Sequence, residues 1–204
     1  DAYNVAVGYE AGALISTGIK NVIIGGSAGD ALTTGSYNVA VGYKALNTED
    51  AHGRNVAVGY LALEQQDAGV DAYNVALGFY AGQAVTTGVY NVLLGGQAGD
   101  VLTTGSSNVA IGLNALGTED TGSDSIAIGR SALLNQNYDG SAYNVAIGRD
   151  AGEEVTTGIN NILIGGRAGD ALTTGSRNVA IGHSALGAED GNGRNVLRSL
   201  KLQR

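Results

Sequence analysis

The sequence predicts an all-β fold, a parallel β-roll or β-solenoid of about twelve coils with 17–19 residues in each coil. Three observations predict it. Glycine supplies 34 of the 204 residues and proline, cysteine, methionine and tryptophan are absent, yet the glycines do not follow the period of three typical of collagen. A pentad related to Asn-Val-Ala-Val-Gly recurs along the whole chain. In each copy, aliphatic residues at alternate positions precede the glycine, as in a short strand that ends at a bend.

The repeat has a regular period. Twelve pentads follow one another at spacings of 17, 17, 17 and 19 residues, so that four units form a super-repeat of 70 residues. We expect a single repeat domain over residues 1–204, made of super-repeats 1–70, 71–140 and 141–204, with a divergent last coil. Such a unit cannot bury its apolar face alone, but stacked units bury a continuous one.

The columns of the repeat, counted from the asparagine as column 0, predict which side chains lie inside. Column 0 is expected to form a ladder of side-chain amides that satisfy backbone groups of the turns. Columns 1 and 3, almost always Val, Ile or Leu, are expected to line the core. Column 2 points the opposite way and carries a large aliphatic residue once per super-repeat, which predicts a subunit contact. The ladder residues are Asn4, Asn21, Asn38, Asn55, Asn74, Asn91, Asn108, Asn144, Asn161 and Asn178, and the expected contact residues are Ile23, Leu93 and Leu163.

The second half of the unit differs within each super-repeat. In the first two units an apolar residue at column 11 precedes Thr-Gly, as in residues 32–35, which predicts a second short strand closed by a turn. In the third and fourth units the same stretch is polar, as in residues 47–50 and 64–67, and is expected to project from the stack as a loop. The two additional residues of every fourth unit fall in such a loop, where insertions cost little.

The pentads resemble a known family. Asn-Val-Ala-Ile-Gly, at residues 108–112 and 178–182, is similar to the head repeats of trimeric autotransporter adhesins, and residues 124–129 (Asp-Ser-Ile-Ala-Ile-Gly) match the family pattern Asn-Ser-Val-Ala-Ile-Gly. Similar repeats with Thr-Thr-Gly between them occur in bacteriophage tail fibres. The resemblance covers residues 3–190 and implies a left-handed parallel β-roll in which three chains form a homotrimer. The units here are longer than the usual head repeat, and most lack the additional residue before Val.

The composition disfavours several classes of function. Without cysteine the chain has no disulfide, thiolate nucleophile or Cys-ligated metal. The net charge of −8 disfavours nucleic acid as a partner, and the apolar runs are too short for membrane insertion. No Ser/His/Asp triad, phosphate loop or dinucleotide fingerprint is present. We therefore expect no enzyme, no catalytic residue, no cofactor and no metal.

Two further motifs resemble functional sites only in part. Residues 25–33 partly match the calcium-binding nonapeptide, but their fourth position is Ala and the copies recur 70 residues apart rather than in tandem. Acidic pairs recur at Glu49-Asp50, Glu119-Asp120 and Glu189-Asp190. Adjacent carboxylates on an outer loop are more typical of a solvated face than of a glycosidase pair, which faces across a cleft.

The expected function is that of a non-enzymatic structural or adhesive fibre segment, displayed extracellularly on a cell surface or on a virion as part of a tail fibre. It would attach to a host or surface by multivalent contact. Its expected partners are copies of itself in a homotrimer and a host-surface glycan or protein receptor. The side chains at column 5 are expected to face a ligand, or else only to cover a glycine-rich wall: Tyr9, Tyr43, Tyr60, Phe79, Arg130, Arg149 and His183. The alternative function is a monomeric β-solenoid module that binds glycan, calcium or ice.

Overall fold

The structure, a computed structural model, describes residues 2–188 and 195–198. It is all-β: one short strand per repeat unit, stacked in parallel in a single sheet whose strand order follows the chain. The predicted fold class, a parallel β-solenoid, is confirmed. Within the described residues no helix is long and apolar enough to cross a membrane. The strands are β1 Val5–Val7, β2 Val22–Ile24, β3 Val39–Val41, β4 Val56–Val58, β5 Val75–Leu77, β6 Val92–Leu94, β7 Val109–Ile111, β8 Ile126–Ile128, β9 Val145–Ile147, β10 Ile162–Ile164, β11 Val179–Ile181 and β12 Val196–Arg198.

We name each unit after its strand, so that coil 6 contains β6, and like columns of successive coils lie in register. Val22 pairs with Val39 in the parallel ladder between β2 and β3. The longer coil 4 keeps the register, because Val56 still pairs with Val75. Its additional residues lie in an exposed segment around Gly69, where a Cβ would meet nothing within 4 Å. The prediction that the insertion falls in a loop is confirmed.

Each strand from β1 to β11 is followed by a glycine in a backbone conformation that only glycine adopts readily. Gly59, at column 4, has a φ of 144°, and a Cβ there would overlap the carbonyl oxygen of Gly78 in the next coil. Residues at columns 6 and 8 also have the left-handed backbone conformation, for example Lys44 at φ 52° and Leu46 at φ 51°. The chain therefore turns again at both columns. The second half of the coil therefore runs as turns and bends. The predicted second strand is wrong, since each coil of the described chain contains one strand.

The core is lined by columns 2, 7, 8 and 11, and the predicted assignment of the two strand faces is wrong. Ile23, Leu93 and Leu163 are fully buried within a single chain, so they cannot form the expected subunit contact. The column 2 alanines of coils 3–5, 7–9 and 11 are equally buried. Columns 1 and 3 face outward, as Ile24 (38% exposed) and Leu77 (51%) illustrate. The strand alternates as predicted, but with inside and outside exchanged.

The physical reason is the narrow interior of the coil. Where column 2 is Ile23, column 8 is Gly29, and a Cβ on that glycine would lie 3.2 Å from Ile23 Cδ1. Where column 2 is Ala40, column 8 is Leu46, which is fully buried. A close-packed core has room for one large side chain in each coil, either at column 2 or at column 8. Large residues at columns 1 and 3 are tolerated in every coil because they point away from it.

Candidate functional site: the strand face and its borders

The asparagines of column 0 link neighbouring coils. Asn91 Nδ2 donates to the carbonyl oxygen of Gly105 in its own coil at 2.9 Å, and Asn91 Oδ1 accepts from the backbone N–H of Asn108 in the next coil at 3.0 Å. The backbone N–H of Asn91 in turn donates to Asn74 Oδ1 at 2.8 Å. Each amide thus closes one turn and holds the next coil in register, which is a structural role.

The ladder changes at coils 4 and 8. In coil 8, Ser125 replaces asparagine, and Gln136 Nε2 donates to Ser125 Oγ at 2.9 Å. In coil 4, Asn55 Oδ1 accepts from the backbone of Asn74 at 3.1 Å, whereas Asn55 Nδ2 has no hydrogen-bond partner. In the first two super-repeats, the fourth coil is therefore where the amide pattern is least regular.

The outer face of the sheet is an aliphatic surface, which we call the strand face. It consists of columns 1 and 3 of coils 1–11, all of them Val, Ile or Leu. Because the strands are in register, these side chains form two unbroken rows without a charged residue. Its most exposed members are Val5, Val7, Ile24, Leu77, Ile126, Ile147, Ile162 and Ile181.

Aromatic rings border the strand face at column 5. Tyr43 and Tyr60 stack with centroids 5.5 Å apart, and Tyr60 stacks on Phe79 at 5.4 Å. The three rings are 48%, 42% and 55% exposed. Tyr80 meets the ring of Phe79 edge-on at 4.1 Å. This part of column 5 is a row of stacked, solvent-facing rings.

The remaining column 5 residues do not join that row. Tyr9, Arg130, Arg149 and His183 are all exposed, but they are separated from the stacked rings by Gly26 or by non-aromatic residues. Arg130 Nη2 lies 3.0 Å from Asp150 Oδ1, and Arg149 Nε lies 3.1 Å from Asp150 Oδ2. The two arginines therefore neutralise a buried carboxylate, which accounts for them without a ligand.

A second border, at the residue before each asparagine, was missed in the sequence analysis. Arg54 Cζ lies 5.5 Å from the ring centroids of both Tyr37 and Tyr73, and Tyr73 stacks on Tyr90 at 5.6 Å. Lys20 Nζ lies 5.1 Å from the Tyr37 centroid. Cations between aromatic rings stabilise such a row by about 0.5–1 kcal/mol for each contact. The repeated aromatic or basic residue at this column was the available signal.

Within the polar stretches of the third and fourth coils, the residue at column 11 points into the stack. Glu49, Gln66, Glu119 and Gln136 occupy column 11 and are fully buried, where Leu or Val stands in most other coils. The predictions of projecting loops and of a solvated acidic face are therefore wrong for these residues. Asp50 is exposed as expected. The pair Glu189-Asp190 lies outside the described residues.

The buried glutamates should make stability depend on pH. Burial raises the pKa of Glu49 and of Glu119 above the ordinary value of 4.5. Between that value and the raised one, the folded chain binds more protons than the unfolded chain. The contribution of these two glutamates to the free energy of unfolding therefore falls as pH rises through this window and is constant above it.

The two glutamates differ in their partners, which predicts opposite effects of glutamine. Glu119 accepts from the N–H of Gly122 (2.8 Å) and Tyr138 (3.4 Å) and from Gln136 Nε2 (2.8 Å), so Glu119→Gln places an amide N–H against a donor and should destabilise by about 1–3 kcal/mol. Glu49 accepts only from the His52 N–H, so Glu49→Gln should be neutral or stabilising at pH 7.5. Urea denaturation at pH 4 and 7.5 in metal-free buffer measures both. Equal effects of the two substitutions would contradict the assigned partners.

The architecture places the chain among parallel β-solenoids built from tandem repeats. Comparison with protein-family profiles, with curated proteins and with solved structures found no match. The resemblance to adhesin head repeats and tail fibres therefore rests on the sequence motifs alone.

Proposed function

We propose that this chain is a non-enzymatic structural and adhesive segment of a fibre, displayed outside the cell or on a virion, and that it assembles with copies of itself through the strand face. The observation that carries the proposal is that face: aliphatic at every position of columns 1 and 3 in coils 1–11 and exposed or half-buried in the single chain. Burying such surface stabilises by about 25 cal/mol per Å².

The spacing of the strand face favours a second copy of the chain as its partner. The aliphatic rows repeat once per coil, at the strand spacing of about 4.8 Å. A globular partner would match a few coils, whereas another copy has the same spacing from end to end. The face contains 22 aliphatic residues per chain, which is comparable to the roughly 20–30 residues on one side of a stable interface. Three copies around one axis, as the resemblance implies, would bury it on every chain.

Molar mass tests the proposal. Size-exclusion chromatography with light scattering should give three times the mass of one chain. The melting temperature should rise with protein concentration, because assembly stabilises the folded state. A folded species with the mass of one chain throughout the micromolar range, with a constant melting temperature, would contradict it and favour the monomeric binding module.

Glycan binding is a second candidate function, which the stacked rings of Tyr43, Tyr60 and Phe79 favour. Because the three rings stack on one another, they present a regular row of exposed ring edges together with the hydroxyl groups of Tyr43 and Tyr60, which can hydrogen-bond the hydroxyl groups of successive sugar units. In a homotrimer the row would occur three times, so that weak single contacts would add to useful avidity. This candidate is compatible with fibre assembly and supplies its adhesive part.

A further inference from the structure

The chain contains two versions of one buried carboxylate, 70 residues apart. Glu119 in coil 7 has hydrogen-bond donors on both of its oxygens. Glu49 in coil 3 is equally buried, but its Oε2 has no partner. A buried carboxylate oxygen without a donor is costly, so the difference between the two coils points to a group that coil 3 alone accommodates.

The cause of the difference is His52, which stands where coil 7 has Gly122. A Cβ on Gly122 would lie 2.5 Å from Glu119 Cδ and Oε1, so a side chain there is incompatible with the arrangement in coil 7. The glutamine equivalent to Gln136 lies in coil 4 and donates elsewhere: Gln66 Nε2 donates to the carbonyl oxygen of Thr86 at 3.0 Å. Glu49 has therefore lost its amide donor and gained an imidazole neighbour.

The imidazole also has an unused nitrogen. His52 Nδ1 is buried, makes no hydrogen bond and lies 3.8 Å from Glu49 Oε1. Asp50 adds a second carboxylate, and one ligand atom from each of Glu49, Asp50 and His52 lies within 4.8 Å of the others. Among the residues that the structure describes, this is the one group of three such side chains that could hold a metal ion.

We propose that Glu49, Asp50 and His52 bind a divalent transition-metal cation of the Zn²⁺ type. Zinc binds imidazole nitrogen and carboxylate oxygen at about 2.0–2.2 Å, which places the ligand atoms of a tetrahedral site about 3.4 Å apart. The 3.8 Å between Glu49 Oε1 and His52 Nδ1 needs only a small adjustment, and Asp50 is exposed and free to rotate. Calcium fits poorly, because it requires six to eight oxygen ligands.

The cation would supply what coil 3 lacks. It would compensate the buried negative charge of Glu49, whose counterpart Glu119 is stabilised by hydrogen-bond donors instead. It would also bind the imidazole nitrogen that has no other partner. Because Asp50 is exposed, a water molecule can occupy the fourth coordination position of the cation, as in zinc sites with three protein ligands. The cation would hold residues 49–52 of coil 3 together and stabilise this part of the rod.

The test uses the full chain without a polyhistidine tag. Its only histidines are His52 and His183, so a ¹H–¹⁵N spectrum of the imidazoles contains the candidate ligand and an internal reference. One equivalent of ZnCl₂ should shift the signals of His52 and not those of His183. Calorimetry should give one site per chain with a micromolar dissociation constant, and the melting temperature should rise, while MgCl₂ should have no effect.

Matched variants decide the assignment. His52→Gly introduces the residue present at the same column in coil 7, so it should fold normally and lose zinc binding. Glu49→Gln should weaken binding at least tenfold, and so should Asp50→Asn, whereas Asp120→Asn, at the place in coil 7 that is equivalent to Asp50, should leave it unchanged. The proposal is overturned if zinc does not bind at micromolar concentration, if both histidines respond equally, or if His52→Gly still binds. A contact between His52 and Glu49 alone, without metal, would give the first of these results.

Discussion

Replacing Leu93 by aspartate is expected to prevent coil 6 from folding, whereas the same substitution of Leu94, one residue along β6, should leave the coil folded and disrupt assembly. Leu93 is fully buried and contacts the turns at Gly82 and Gly99, so Leu93→Asp buries an unpaired carboxylate at a cost of several kcal/mol. Leu94 is only half-buried and belongs to the strand face. Leu94→Asp brings like charges together between copies, which weakens the oligomer more at pH 7.5 than at pH 4.

Circular dichroism and light scattering at the two pH values separate these effects. Leu93→Asp should lose a large part of the β signal at both pH values, because coil 6 lies in the middle of the stack and connects its two halves. Leu94→Asp should keep the β signal and change in mass. If Leu94→Asp stays a full-size oligomer at both pH values, the strand face is not the interface. If Leu93→Asp folds and melts like the unmodified chain, the assignment of the core is wrong.

The features predicted correctly from the sequence are those that backbone geometry imposes in every coil. Column 4 must be glycine, because a Cβ at Gly59 would overlap the next coil. Column 0 must carry a short side chain with both a donor and an acceptor, as Asn91 shows. Such requirements leave the same residue at the same column in each unit. The period, the strand that follows each column 0 residue and the parallel stacking follow from them.

The assignment of the strand faces could not be predicted from residue size alone. Branched aliphatic residues at columns 1 and 3 suit an exposed strand as well as a buried one, and the narrow coil mostly admits alanine at column 2. The usable signal lay in two columns taken together. Column 8 is Gly29 where column 2 is Ile23, and Leu46 where column 2 is Ala40. A large residue at one of these columns thus accompanies a small residue at the other, which indicates that the two columns contact each other across the interior of the coil.

The candidate sites depend on contacts between coils, which a column-by-column comparison does not reveal. Polar residues at column 11 suggested a loop, yet Gln136 is held inside by Glu119 and Ser125 of neighbouring positions. Similarly, Arg130 and Arg149 looked available to a ligand but both contact Asp150. Exposure at column 5 was expected because this column varies between aromatic and basic residues, whereas the partners of each side chain depend on the folded stack.

Replacing Asn91 by alanine is expected to lower the free energy of unfolding by about 2–5 kcal/mol, because it leaves two buried backbone groups unpaired. The carbonyl oxygen of Gly105 loses its donor, and the N–H of Asn108 loses its acceptor. Urea denaturation at fixed protein concentration measures the loss. A change below about 1 kcal/mol would mean that water replaces the amide and that the ladder is dispensable.

Serine at the same position gives a sharper test, because the chain itself tolerates serine at residue 125. There Gln136, at column 11 of the same coil, donates to Ser125 Oγ at 2.9 Å and accepts from Asn144 Nδ2 at 2.8 Å. Coil 6 has Leu102 at column 11 instead, so Asn91→Ser should cost nearly as much as Asn91→Ala. Adding Leu102→Gln should recover part of the loss, since it supplies the amide that coil 8 uses. Recovery would show that columns 0 and 11 are coupled across the interior of the coil. If the double variant instead loses more free energy of unfolding than the two single variants lose together, the glutamine of coil 8 depends on Glu119 as well.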